Sequence, residues 1–245
     1  MKALIFAAGL GTRLKPLTDT MPKALVPING TPLLELVLRK LIASGFDEII
    51  INVHHFADQI IDFVKRNNSF GVHIEISDER DALVETGGGI KKASWFFDDG
   101  EPFLVHNVDI LSNIDLKGLY DYHLSHNGIA TVVVSNRDTA RYLLFDSNLR
   151  LNGWTNIKTG EVKSPFETLD VSSCQRLAFS GIHVISPKVF DLMSGWNGKF
   201  SVIDFYLEVA AKETIKGFVP ENLKMIDVGK IDSLHDAELF LTNSL

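Results

Sequence analysis

Over the first half of this chain, short apolar runs alternate with amphipathic stretches, and that alternation restricts the possible folds more than any other feature of the sequence. Lys2 to Ala8 reads as a buried strand, and so do Ile49 to Val53, Val72 to Ile76 and Phe103 to Val105. Between them, Leu33, Leu34, Val37, Leu38, Leu41 and Ile42 recur at helical spacing after Thr31 and Pro32, and Gly45 supplies a C-cap. Ile60, Ile61 and Val64 form the stripe of a second helix, and a third is expected at Ile90 to Phe96. Strands and helices in this order build crossover units and a mainly parallel sheet.

The second half changes character. Asp115 is expected to cap a helix through Leu116, Leu119, Tyr120 and Leu124, followed by a strand at Thr131 to Val134. Between Arg141 and Val162, Asp146, Asn148, Asn152 and Gly153 break the chain into short strands, an antiparallel excursion rather than another crossover. We expect one domain over residues 1–245, with residues 136–176 as a lobe that covers substrate. The remainder reads as a strand at Leu177 to Val184, then Ser186 and Pro187 as cap and first helical residue. A helix at Val202 to Ala211, a strand at Met225 to Val228 and a final helix containing Leu234, Ala237, Leu239 and Phe240 complete it.

Composition narrows the function classes. No apolar stretch approaches the roughly 20 residues that cross a bilayer, and the N-terminal run lacks the pattern of a secretory signal, so no membrane association and a cytoplasmic location are expected. The formal charge is −7 with basic residues dispersed, which argues against a nucleic acid partner. The single cysteine, Cys174, cannot form an intramolecular disulfide and is expected to pack. Oligomeric state is not legible from one sequence.

The segment from Ala7 to Lys23 carries the chemistry. Gly9 and Gly11 follow the first strand, where backbone amides can approach phosphate oxygens, and Arg13 and Lys23 add cations. The other reading of the same residues is a tight turn beside two surface cations. The ending of a P-loop is missing, as is the three-glycine dinucleotide pattern. Asp109, just beyond the Phe103 to Val105 strand, and Asp227, at the end of another apolar run, are either turn caps or a pair of oxygen ligands for a hard cation.

The run AAGLGTRLKPLTDTMPK from Ala7 resembles the signature of the sugar-1-phosphate nucleotidyltransferases, and ETGGG from Glu85 resembles their second glycine-rich nucleotide loop. The likeness extends along nearly the whole chain. It is strongest to the N-acetylmuramate-1-phosphate uridylyltransferase and mannose-1-phosphate guanylyltransferase branches. It implies an α/β, Rossmann-like three-layer fold with a mainly parallel mixed sheet and a small antiparallel substrate lobe. The implied activity transfers a nucleoside monophosphate from an NTP, with UTP or GTP favoured, to a sugar 1-phosphate, releasing pyrophosphate.

By the same resemblance, Ala7, Ala8, Gly9, Gly11, Thr12, Arg13, Lys23, Glu85, Thr86, Gly87 and Gly88 contact nucleotide. Arg13, Lys23 and Asp109 serve the chemical step, and Asp109 and Asp227 hold Mg²⁺. The family commonly has Gly before its first metal aspartate, whereas this chain has Val108. Lys163 and Gly181 match sugar-phosphate positions, although a solvent-facing lysine and a strand bend fit the same residues. Cytidylyl transfer to phosphocholine and a regulatory nucleotide-binding protein are the competing functions. Trp95, Phe96 and Phe97 are expected in the core, and the adjacent His54 and His55 are not expected to bind metal.

Overall fold

The computed structural model describes residues 1–243. In chain order the elements are β1 (Lys2–Phe6), β2 (Pro27–Ile28), β3 (Thr31–Pro32), α1 (Leu33–Ala43), β4 (Glu48–Val53), α2 (Ala57–Arg66), β5 (His73–Asp78) and α3 (Glu85–Lys92). They continue with β6 (Phe103–Asn107), β7 (Ile110–Ser112), α4 (Leu116–Leu124), β8 (Ala130–Ser135), β9 (Arg141–Phe145), β10 (Leu151–Asn156), β11 (Glu161–Lys163) and β12 (Gln175–Ile185). The last are α5 (Val189–Leu192), α6 (Val202–Val209), β13 (Ile215–Phe218), β14 (Met225–Asp227) and α7 (Asp232–Asn243). Among the described residues no helix is long and apolar enough to cross a membrane.

The chain divides into two compact units. The first comprises Met1–Leu83, Val105–Lys117 and Leu223–Leu245, and the second Val84–Leu104 and Gly118–Asn222. In the first, β1 pairs in parallel with β4, and β4 with β5, in unbroken register. Ala3, Leu4 and Ile5 of β1 and Ile49 to Ile51 of β4 have no solvent exposure, the near-continuous apolar run of a parallel strand covered on both faces. A second cluster gathers Leu14, Val26, Ile28, Leu33, Leu111, Val228 and Ala237, so the segment after the glycine loop, β7 and α7 share one core.

In the second unit, β9, β10 and β11 form the antiparallel excursion the turn residues had indicated. The long strand β12 pairs through Gln175 to Leu177 with β9 and through Ala178 to Ile185 with β8, and β13 adds in parallel to β8. Gly181 has φ 72° and lies where the β12–β8 register shifts, the bulge geometry that glycine permits most readily. Phe97, Phe103 and Phe190 stack in the core; Phe96 is buried as well, whereas Trp95 is exposed.

Two local expectations need correction. The ETGGG segment is not a loop: α3 begins at Glu85, and the end expected to be helical, Ser94–Phe96, is a separate 3-10 turn. Glycine is a poor helix former, but a Cβ on Gly88 would lie 2.7 Å from Val84 Cβ and 2.8 Å from the Gly198 carbonyl, and one on Gly87 would overlap the Phe200 ring. Close packing thus overrides local propensity. Ser186 and Pro187 precede the helix they were expected to open; α5 starts at Val189, whose N–H donates to the Ser186 carbonyl at 3.0 Å.

Buried histidines link this unit to pH. The Gly128 N–H donates to His126 Nδ1 at 2.9 Å, so Nε2 of His126 carries the proton and donates to Thr131 Oγ1 at 2.8 Å. The Thr131 hydroxyl then donates to His123 Nδ1 at 2.8 Å, and His123 Nε2 donates to Ser186 Oγ at 2.9 Å. Both rings are neutral in this circuit. Burial lowers His123 to about 4 and, with Lys216 nearby, pulls His126 below the usual range. His183, beside the Tyr206 hydroxyl at 2.7 Å, is lowered by burial to about 3. At His123 the unfolded chain binds a proton from 6.5 downward and the folded chain only near 4, so its stabilisation is complete above 6.5 and is lost progressively as pH falls to about 4. Thermal melting followed across this range should show a falling midpoint, with His123 alone worth on the order of 3 kcal/mol; a flat profile between 6.5 and 4 would contradict the circuit.

Candidate functional site

The exit of β1 forms the floor of the site. Ala7 and Ala8 are buried, and their N–H groups both donate to Asn52 Oδ1, at 2.7 and 3.2 Å. Gly9 follows in the open: a Cβ there would meet nothing within 4 Å. Gly11 has φ 65°, and a Cβ would come within 2.9 Å of Thr18 Cγ2 and 3.2 Å of Lys23 Cβ, so glycine is required on two counts. The Thr18 hydroxyl donates to the Gly11 carbonyl at 2.8 Å and fixes the curve from which the 3-10 turn Thr12–Leu14 departs. That turn carries Thr12 and Arg13.

The carboxylates arrive from two other segments. The Val108 N–H donates to the Phe6 carbonyl at 3.1 Å, tying the exit of β6 to the exit of β1. Val108 is itself buried, so its branched side chain packs inward, while Asp109 keeps about a fifth of its side chain exposed. Asp109 Oδ2 accepts a short hydrogen bond from Lys23 Nζ, and Lys23 is buried. β7 then pairs antiparallel with β14, setting Asp227 opposite Ile110, and the Val228 N–H donates to the Asp109 carbonyl at 2.8 Å. Asp109 and Asp227 are therefore neighbours across one strand pair despite their separation in the chain. Arg13 joins them: a Cβ built on Gly229 would lie 2.7 Å from Asp227 Oδ1 and 2.9 Å from Arg13 Nη2.

Among the described residues no group of three or more His, Cys, Asp or Glu could hold a metal. Two carboxylates with open positions suit Mg²⁺, which keeps waters and takes substrate phosphates rather than an all-protein cage.

Three supporting residues escaped sequence reasoning. Asn52 is a polar position within an isoleucine run, which was its one available signal. Lys40 of α1 donates to the Ser112 carbonyl at 2.5 Å and holds the far end of β7; burial lowers its ammonium to about 8. His106 of β6 has Nδ1 at 2.8 Å from the Asn107 carbonyl, which can only accept, so Nδ1 carries the proton. Burial lowers this ring to about 4.

The other expected site residues lie in the second unit. The N–H groups of Gly87 and Gly88 donate to the Phe200 carbonyl at 2.9 and 3.3 Å, and Thr86 Oγ1 accepts the Val202 N–H at 3.0 Å. These groups fasten α3 to the start of α6. Glu85, at φ 61°, pairs with Lys199 at 3.3 Å. Glu85 and Lys163 line a cavity of about 610 Å³ together with Arg137, Arg141, Tyr142 and Trp154. Lys163 Nζ is 3.0 Å from Asp204 and 5.3 Å from the centre of the Trp154 ring. Gly181 is two residues from Phe179, which also lines the cavity. Cys174 is half-buried.

The glycines separate two effects. Gly229→Ala presses only on the mobile ends of Arg13 and Asp227, so the variant should melt close to the parent yet lose turnover. Gly87→Ala meets the Phe200 ring and backbone carbonyl and should cost about 1–3 kcal/mol of stability. Thermal melting and steady-state rates on both variants check the contrast.

A model of the nucleotidyl transferase family matches residues 2–244. The chain is 33% identical over 233 residues to the N-acetylmuramate alpha-1-phosphate uridylyltransferase of Caulobacter vibrioides, covering 91% of this chain and 90% of that one. It is 32% identical over 196 residues to the mannose-1-phosphate guanyltransferase of Kluyveromyces lactis, covering 79% of this chain and 52% of that one. Among solved structures, HddC from Yersinia pseudotuberculosis complexed with GMP-PN superposes with a TM-score of 0.76 at 25% identity, covering 98% of this chain and 99% of that one. The fold is the α/β, Rossmann-like nucleotidyltransferase fold, with mainly parallel strands in a mixed sheet. With the family model and a curated relative both matching nearly its whole length, this chain belongs to the nucleotidyl transferase family.

Proposed function

We propose that this enzyme transfers a nucleoside monophosphate from an NTP to a sugar 1-phosphate, yielding an NDP-sugar and pyrophosphate, as a step of nucleotide-sugar synthesis in the cytoplasm. The observation that carries this reading is the meeting of the Lys23–Asp109 ion pair with Arg13 and Asp227 beside an open glycine loop.

The chemistry follows from these groups. An oxygen of the sugar phosphate attacks the α-phosphorus of the nucleotide, the bond from that phosphorus to the bridging oxygen breaks, and pyrophosphate departs from the opposite side. The attacking phosphate monoester is ionised near neutral pH, so no side chain has to remove a proton. Lys23 offsets charge at the α-phosphate, and Arg13 binds the departing phosphates. Asp109 orients the Lys23 ammonium through one oxygen and, with Asp227, supplies oxygen ligands for Mg²⁺. Bound there, Mg²⁺ would neutralise phosphate charge during displacement. Lys163, held by Asp204, binds the acceptor phosphate, and Glu85 and the bend at Gly181 shape the base and sugar contacts, with Thr86, Gly87 and Gly88 fixing Glu85 through their bonds to residues 200–202.

The charge of the second-unit cavity does not single out the acceptor. Glu161 and Asp204 are paired with Lys163, at 4.0 and 3.0 Å, while Arg137 and Arg141 line the same cavity. With Glu85 also in the lining, three acidic and three basic side chains balance, so the preference for N-acetylmuramate 1-phosphate over cationic phosphocholine rests on the sugar-phosphate relatives. UTP with that acceptor is the first pair to test, and GTP with mannose 1-phosphate the second.

A matrix of nucleoside triphosphates and sugar 1-phosphates, with the nucleotide sugar identified as well as pyrophosphate, tests the assignment. Arg13→Ala and Lys23→Ala should each lower kcat by about 100-fold or more with little change in melting temperature; undiminished activity in Arg13→Ala would overturn its role. Chelation should abolish transfer, and excess Mg²⁺ should restore it.

A further inference from the structure

Asn52 and Glu79 are polar residues buried beneath the glycine loop, in the first unit, and neither has a part in the chemistry above. Asn52 is 2% exposed and Glu79 fully buried. Asn52 occupies β4, where it stands opposite Ser77 in the parallel register with β5; Glu79 immediately follows β5 and is held there by its own N–H, which donates to the Val53 carbonyl at 2.7 Å. The Asn52 side-chain amide bridges two partners. Its Nδ2 donates to Glu79 Oε1 at 2.9 Å, and its Oδ1 accepts the N–H groups of both Ala7 and Ala8.

The arrangement has only one consistent orientation. The two backbone amides can only donate, so they require Oδ1, and the Glu79 oxygen accepts, so it requires Nδ2. A reversed amide would point Nδ2 at two N–H donors and Oδ1 at a carboxyl oxygen. Glu79 therefore fixes the Asn52 amide, and the amide fixes the first two residues of the loop from which Gly9, Gly11 and Arg13 project. Burial makes each of these bonds costly to lose, since no water can replace the missing partner.

We propose that Glu79 is a positioning residue for nucleotide binding, acting through Asn52 to set the entry of the glycine loop. The inference rests on the reading of that loop as the NTP site. Glu79 acts through Asn52 on the Ala7 and Ala8 amides at the entry of the glycine loop, so its effect should fall on affinity for the triphosphate rather than on the acceptor.

Polarity reversal tests this. In Asn52→Asp the second carboxylate oxygen meets Glu79 Oε1, acceptor against acceptor; adding Glu79→Gln returns a donor to that position. UTP affinity by titration calorimetry and the KM for the sugar phosphate are measured on the parent, both single variants and the double variant, with melting temperatures. Asn52→Asp should weaken UTP binding by about tenfold or more, Glu79→Gln should remain near the parent because its side-chain oxygen can still accept, and the double variant should recover most of the loss. The acceptor KM should change little throughout. If Asn52→Asp does not fold alone, a folded double variant that binds UTP like the parent supports the proposal equally. Unchanged UTP affinity in Asn52→Asp, a folded double variant without recovery, or an equal rise in the acceptor KM would overturn it. A parent protein that binds no UTP or other triphosphate would instead sink the functional reading itself.

Discussion

One backbone hydrogen bond, from Val108 to the Phe6 carbonyl, joins the ends of two strands that are about a hundred residues apart in the chain. On one side of it the chain curls through Gly9 and Gly11 toward Arg13; on the other it presents Asp109. The parallel pairing of β1 with β4 keeps that junction rigid, because the apolar runs of both strands are buried and a one-residue slip would turn their side chains to opposite faces. Asp109 and the start of the glycine loop are brought together at this junction.

The carboxylate pair shows how a short piece of sheet can perform the work of a long-range contact. β7 and β14 are three residues each, yet their antiparallel register sets Asp227 opposite Ile110 and Val228 against Asp109, so the two aspartates fall one step apart. Lys40 grips β7 at the opposite end, and Leu111, Ile226 and Val228 sink into the core shared with α7. Lys23 then stands against Asp109 and Arg13 lies near Asp227, each cation beside its own carboxylate.

The glycines of the two motifs prove to have different causes. Gly11 is needed for its left-handed backbone and for the approach of Thr18, and Gly9 leaves open space above the loop. Gly87 and Gly88 instead sit in a helix and are small because residues 198–200 pass against them. Their amides are already bonded to the Phe200 carbonyl. A motif that reads in the sequence as a glycine-rich nucleotide loop is, at these two positions, a helix packing surface.

Much of this was legible in the sequence because it depends on neighbours in the chain. Apolar periodicity located the strands and most helices, turn residues located the antiparallel excursion, and the run from Ala7 to Lys23 marked the glycine turn with its two cations, since spacing and residue type are local properties. The pairing of Asp109 with Asp227, the burial of Val108, the use of Ala7 and Ala8 amides by Asn52, and the helical state of ETGGG were decided only by tertiary structure. Each of those depends on which distant segment supplies the hydrogen-bond partner or the packing surface, and a burial or register of that kind has no signature in the residues on either side.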